Sequence, residues 1–560
     1  MPSAPPWLGA LIVALLAVCA HWPALANGFP LDDRFLVLLN PRIQMGEFSK
    51  FFEQSWWPPG VGTGLYRPLT MTALGLEWAF GAGSPVVFHA VSLALHALVS
   101  LAVLALAGML IPPAPAFAVA ALFAVHPVHV EAVTNAVGQA ELLAALLVLV
   151  ALGAYVDDRR AGPVRPRTAV LVVLFGFAAL FAKENAVVLV ALLVLVELFI
   201  PLAPIAARAR WTVLALVAGA WTLLAALWLA ARVQTLRGLA GEVPLLIFQG
   251  RSMLGRARLM LGVVPEWVRL LAWPRRLYAE YLTDPAHALP RLHARELLGA
   301  LLIVAAIAAV VACRRRVPAV ALGIVAFAVS VSPVANIIVP TGILLAERTL
   351  YLPSAFALIA LVSGVAWLVR GSPVARAATR AQVFAGVLMV LVVTGTVRGW
   401  ARTREWKDDE TVFRTLVRDA PDNAHARQLM GHWFFEHARP AEGEREYRAA
   451  IQLTPTDATL PEQLGWQYVN HGLCAPAEPL FREAIRIGGP RQASTVGLAD
   501  CLLARGAAEE ARTVVRAALA SGRDAPSLTE RLREAEGQLA RAEADRARRP
   551  HPTPAPTARP

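Results

Sequence analysis

The stretch NGFPLDDRFLVLLNPRIQMGEFSKFFEQSWWPPGVGTGLYR, residues 27–67, separates the first apolar run of the chain from the next segment able to span a bilayer. It carries two adjacent carboxylates, Asp32 and Asp33, within a few residues of the end of that first run. An unpaired charge beside hydrocarbon is costly to desolvate, so a carboxylate pair there implies that a cation or a substrate meets it. A solvated turn just past a helix end would hold two aspartates equally well. The polar residues contributed by later segments favour the first alternative, an outer loop that carries acid/base chemistry.

Hydrophobic residues make up 57% of the 560-residue chain, against roughly 45 to 50% in ordinary soluble proteins, and the mean hydropathy is +0.54. The apolar mass lies in 1–400 and the charge beyond it, which divides an all-α, polytopic membrane domain from a soluble region over 405–540 and a Pro- and Arg-rich, disordered tail over 541–560. The net charge of +12 does not indicate nucleic acid, because many arginines sit in short links between apolar segments, where they set orientation. Only three lysines occur, Lys50, Lys183 and Lys407, so the one inside an apolar region stands out. Cys19, Cys313, Cys474 and Cys501 show neither CxxC nor metal-ligand spacing and are read as unbridged core fillers.

A span needs about 20 mostly apolar residues. Eleven candidates result: 8–25, 85–111, 116–128, 142–155, 168–181, 186–202, 211–230, 297–313, 319–333, 352–369 and 383–397. The first lacks a basic leader and is followed by further spans, so it is kept as a helix and not as a cleaved signal. Arginines at 159, 160, 165, 167, 208, 210, 314–316, 370, 376 and 380 fall on one face if the N-terminus is cytoplasmic. The 27–67 loop and everything after Val397 then face outward. Residues 249–273 are apolar but hold Arg251, Arg256, Arg258, Glu266 and Arg269, and are expected to form an amphipathic helix on the outer surface. Heavy use of Ala, Arg and Pro suggests a GC-rich bacterium, hence an inner membrane and a periplasmic outer side.

This topology gathers ionisable groups on the outer face: Asp32 and Asp33, Tyr66 and Arg67, His126, His129 and Glu131, Gln139 and Glu141, Lys183 and Glu184, Glu280, and Glu347 with Arg348. Singly, each reads as a helix-end ion pair or a hydrogen-bonded structural group. Together, near membrane depth, they read as a site. His126 and His129 find no third ligand at a matching spacing, so they are not assigned a metal.

Several strings resemble the transmembrane and tetratricopeptide-repeat (TMTC) family: Leu65-Tyr66-Arg67-Pro68-Leu69, Phe88-His89, Leu95-His96, the run His126-Pro127-Val128-His129-Val130-Glu131-Ala132-Val133, Ala182-Lys183-Glu184, and Glu347-Arg348-Thr349-Leu350-Tyr351-Leu352-Pro353-Ser354. The resemblance implies a GT-C-type glycosyltransferase that moves a sugar, typically mannose, from a polyprenyl-phosphate donor to Ser or Thr hydroxyls on the extracytoplasmic side. An acidic residue of the first outer loop, Asp32 or Asp33 here, would be the base. The chain departs from the family pattern at Gln139, where arginine is usual, and at Glu280, where aspartate is common.

The residues suit that chemistry. A carboxylate can take the proton of a hydroxyl nucleophile, and the lipid phosphate that leaves needs fixed cations, for which Arg67, Lys183 and Arg348 are the candidates. The other outer polar residues are taken as donor- or substrate-binding. The second aspartate is left to hold a divalent cation or to orient the acceptor; no other cofactor is indicated. Two alternatives stand beside this reading: a ligase or polymerase of polyprenyl-linked glycans, and a non-catalytic scaffold.

Beyond Arg398 small residues and prolines recur every 34 residues, as in Gly431 and Gly465 or Ala450, Ala484 and Ala518. This is the tetratricopeptide period. About three repeats are expected over 422–521, after a helix at 407–419 and before a capping helix, as an α-solenoid whose concave face binds acceptor protein.

Overall fold

The computed structural model describes residues 5–58, 64–237, 244–272, 274–281, 285–371, 377–522 and 526–548, and all of their regular structure is helical. The chain forms two compact units, 1–415 and 416–560.

In the first unit each of the eleven apolar segments is helical. Among the described residues, seven helices are long and apolar enough to cross a membrane, and an eighth counts if the bent pair Pro113–Ala124 and Pro127–Thr134 is one span. Pro166–Ala182 and Pro318–Val334 are apolar but shorter. The protein is therefore a multi-pass membrane protein whose expected eleven segments are unequal in length. Proline opens the helices at Pro6, Pro68, Pro85, Pro113, Pro166 and Pro318, positions where its missing N–H leaves no hydrogen bond unmade.

Ala136–Ala161 is the central helix: 78% of its apolar window is buried, against 6% for each of Leu289–Cys313 and Thr379–Glu405. It packs on Pro85–Leu110 and Pro166–Ala182. Its loop-side entry is tight, since a Cβ on Gly138 would collide with the Ala132 carbonyl. At its other end Arg159, counted above as a link arginine, is buried; its Nε donates to Glu197 Oε1 at 2.6 Å, and the Tyr155 hydroxyl donates to the same oxygen at 2.8 Å.

The 27–67 loop is folded. Short turns at Arg34–Leu38, Pro41–Gln44 and Phe48–Phe52 close over a small core of Leu36, Val37, Ile43, Phe51 and Trp56, which packs on Met71 and Leu74 of helix Pro68–Gly81. Its residues 59–63 lie outside the described ones, as does residue 273 of the surface segment. That segment is two helices, Met253–Leu261 and Val264–Ala272, in place of the expected one. Pro265 has no N–H to continue a helix from the preceding turn. Leu259, Met260, Trp267 and Leu270 are buried, while Met253, Leu254 and Val268 are exposed.

The second unit contains three helix pairs: Ala424–Glu436 with Pro440–Leu453, Thr459–Asn470 with Cys474–Gly488, and Gln492–Ala504 with Ala508–Ala520. Gly465 lets the Phe481 ring of the paired helix approach; a Cβ there would stand 2.8 Å from it. The helix before them is Asp409–Asp419. The last helix, Pro526–Arg548, runs through the first residues of the expected tail, and 549–560 lie outside the described residues. Cys474 and Cys501, read above as unbridged, are paired as a disulfide with Cα atoms 5.1 Å apart. Stacking of the second and third repeats joins them, which spacing along the chain does not reveal.

If that bridge forms in cells, thiol alkylation of the denatured, unreduced chain will modify Cys19 and Cys313 only, and all four cysteines after reduction. Modification of all four without reductant would count against the pairing.

Candidate active site

The two aspartates of the loop part company. Asp33 is fully buried, and its carboxylate accepts the backbone N–H groups of Ala136 (2.7 Å) and Val137 (2.9 Å). It thus caps, from another part of the chain, the N-terminal end of the central helix, where unpaired N–H groups and the helix dipole favour an anion. Burial pushes its pKa up to about 7, against the pull of the two amides. Asp32 is half-buried, and its Oδ2 lies 3.7 Å from Arg348 Nη1.

Arg348 is braced from the opposite side by Glu131. The Glu131 Oε1 lies 3.1 Å from the guanidinium, and its Oε2 accepts the Arg348 backbone N–H at 2.9 Å. Glu131 comes from the short helix Val130–Thr134 and Arg348 from the turn Glu347–Leu350. Two further cation pairs lie nearby in the field of this group. Arg67 grips Glu184 in two-point fashion, with Nη2 to Oε1 at 2.6 Å and Nε to Oε2 at 3.1 Å. Burial pushes the Glu184 carboxyl up, but Arg67, Lys183 and Arg232 together outweigh it and hold the group well below the usual carboxylate range. Lys183 pairs with Glu141, and the charges of Arg67, Glu184 and Arg348 also act on it. Arg348 is the most exposed of the three cations, with 22% of its side chain accessible against 11% for Arg67 and 6% for Lys183.

Other expected site residues are held elsewhere. His126 Nε2 meets the Leu271 carbonyl at 3.0 Å and its Nδ1 accepts the Val128 N–H at 3.2 Å. His129 joins the Phe123 carbonyl and the Ser354 hydroxyl. Both rings are thus held by hydrogen bonds within the fold. Tyr66 donates to the Phe52 carbonyl. Gln139 is sealed inside, where its Nε2 donates to Glu77 Oε2 (2.9 Å), Phe88 O (3.2 Å) and Ser92 Oγ (3.3 Å). These bonds take it to a separate polar cluster and not to Arg348. Burial pushes the Glu77 carboxyl up to about 8, so a neutral amide suits its neighbour where a guanidinium would suit an ionised one. Glu280 is half-buried beside Tyr281, whose hydroxyl donates to Glu347 Oε1 at 2.8 Å.

Sequence reading missed two buried ionisable groups that partner expected site residues. Arg402 donates to Glu347 Oε1 at 3.1 Å and to Glu405 at 2.8 Å, and Glu77 supports Gln139. Both are ionisable residues within or at the end of an apolar helix, which was the available signal. Among the described residues no group of three or more His, Cys, Asp or Glu is placed to hold a metal ion.

No protein-family model matches the sequence. The chain is 24% identical over 521 residues to the mouse protein O-mannosyl-transferase TMTC3, covering 84% of this chain and 54% of that protein. It is 24% identical over 548 residues to human protein O-mannosyl-transferase TMTC1, covering 82% and 57%. The chain thus spans little more than half the length of these curated relatives. Among solved structures, the apo oligosaccharyltransferase of Archaeoglobus fulgidus aligns over 71% of this chain and 56% of its own at 11% identity, with a TM-score of 0.39, too distant to argue from. Along most of its length, then, the chain is similar in sequence to the TMTC protein O-mannosyl-transferases.

Proposed function

We propose that the protein is a membrane glycosyltransferase that moves a sugar, mannose in the first instance, from a polyprenyl-phosphate donor to Ser or Thr hydroxyls of proteins on the extracytoplasmic side. The observation that carries this reading is the half-exposed Asp32 carboxylate set 3.7 Å from a guanidinium that Glu131 holds in place. A base for the incoming hydroxyl and a cation for the departing phosphate stand next to each other.

In the reaction, Asp32 takes the acceptor proton as the hydroxyl oxygen bonds to the anomeric carbon. The bond from that carbon to the phosphate oxygen breaks, and the polyprenyl phosphate leaves with the electron pair. Arg348, with Arg67 and Lys183 as further cations, faces the charge that develops on the phosphate. The lipid tail of the donor stays in the bilayer, and exposed apolar residues of the helices over 253–272 give it a flank. Asp33 does not turn over; it holds the loop to the central helix. The repeat unit presents the acceptor chain, since stacked helix pairs offer a continuous concave surface. The N-terminus is assigned to the cytoplasm of a bacterium and the repeat unit to the periplasm.

These roles separate in variants. Asp32→Asn is expected to lower transfer by about 10²- to 10⁴-fold, the usual worth of a general base, with an unchanged melting temperature. Asp33→Asn should instead lose about 1–3 kcal/mol of stability, because the two backbone N–H groups meet different carboxylate oxygens and the amide turns one of them into a donor. Transfer is read by mass spectrometry of envelope glycoproteins with each variant in place of the native chain; undiminished glycosylation by Asp32→Asn removes the mechanism.

Orientation is checked by reporter fusions at Arg160 and Glu442, which are expected to report cytoplasm and exterior respectively. The same side for both would contradict the assigned topology.

A further inference from the structure

Leu31, immediately before the aspartate pair, has a backbone φ of 53°, in the left-handed region that residues with a Cβ rarely adopt. Something outside the turn must hold it there. Its N–H donates to Asp409 Oδ1 at 2.7 Å, and the other Asp409 oxygen lies 3.6 Å from Arg34 Nη1. Asp409 therefore grips the loop on both sides of Asp32 and Asp33, from a position 378 residues further along the chain.

It does not act alone. The Lys407 carbonyl accepts the Gly28 N–H at 2.8 Å, and the Thr403 carbonyl accepts Asn27 Nδ2 at 3.0 Å. From the same stretch, Arg402 reaches Glu347, the neighbour of Arg348. Residues 402–409 thus hold both partners of the Asp32–Arg348 pair: the loop by backbone and carboxylate contacts, the opposing turn by an ion pair.

We propose that Asp409 is a positioning residue that sets the Asp32 carboxylate against Arg348 by locking the left-handed turn at Leu31. The proposal rests on the reading of Asp32 as the base, and two readouts keep the two ideas apart. Asp409 touches no reacting atom, so its loss should lower the turnover number and leave the apparent KM for the donor lipid nearly unchanged, as expected when geometry is lost and binding is kept.

The test uses the full-length chain in lipid nanodiscs, with amide hydrogen exchange at residues 31–34 and transfer from polyprenyl-phosphate mannose measured side by side. Asp409→Ala is expected to speed exchange of the Leu31 amide at least ten-fold and to reduce kcat about ten- to a hundred-fold. Asp409→Asn, which retains an oxygen acceptor, should stay within about three-fold of the native protein in both. Adding Leu31→Gly to Asp409→Ala should recover most of the lost kcat, because glycine adopts the left-handed turn without strain; a defect of general folding would not be rescued this way. Unchanged exchange in Asp409→Ala overturns the proposal. So does faster exchange with normal transfer while Asp32→Asn is inactive, or failure of Leu31→Gly to rescue. Normal transfer by Asp32→Asn would overturn the reading of the base, and the exchange and rescue results would still decide whether Asp409 locks the turn.

Discussion

The N-terminal end of the central helix needs an acceptor, and Asp33 supplies it. Two backbone N–H groups at the mouth of the most buried span would otherwise point into a packed interior, where an unmet donor is expensive. The carboxylate that meets them belongs to the 27–67 loop, so completion of the helix and placement of the loop are one event. Gly138 keeps the approach close, and the small core of Leu36, Val37 and Ala136 seals it. Asp32 is carried along by the same turn and, pointing the other way, is delivered to Arg348.

Charges in this unit are paired at almost every turn, and the pairing sorts them by duty. Arg159 with Glu197, and Arg402 with Glu347, are buried and hydrogen-bonded, the condition under which an ion pair can persist away from water. Arg67 with Glu184 is a bidentate pair that fixes a helix turn to the loop end. The Asp32–Arg348 contact is long and partly open, as groups that must exchange a protein partner for a substrate would need to be.

The helical class and the position of the repeats were legible because they rest on composition and period, which a sequence carries directly. Arg67, Glu131, Lys183 and Arg348 were legible as a group since charge is rare at that depth. What was not legible depends on which neighbour arrives. Nothing local distinguishes Asp32 from Asp33; the distinction is made by the amides of Ala136 and Val137, over a hundred residues away. His126 and His129 look like site residues until carbonyls claim their nitrogens. Gln139 cannot be understood without Glu77, nor Cys474 without Cys501. The surface segment was read as one helix although Pro265 stood in its middle, a local signal that its apolar content overrode.

In the apolar window of helix Thr379–Glu405 6% of the residues are buried, since one face alone rests on the first helix and on Val125, and its last residues reach Glu347 through Arg402. A span with one face packed and the other turned to lipid takes part of its tilt from the hydrocarbon around it, and tilt follows bilayer thickness. Acyl-chain length thereby becomes a physical variable of the candidate site: a thicker or thinner host membrane leans on the Arg402 end of this helix.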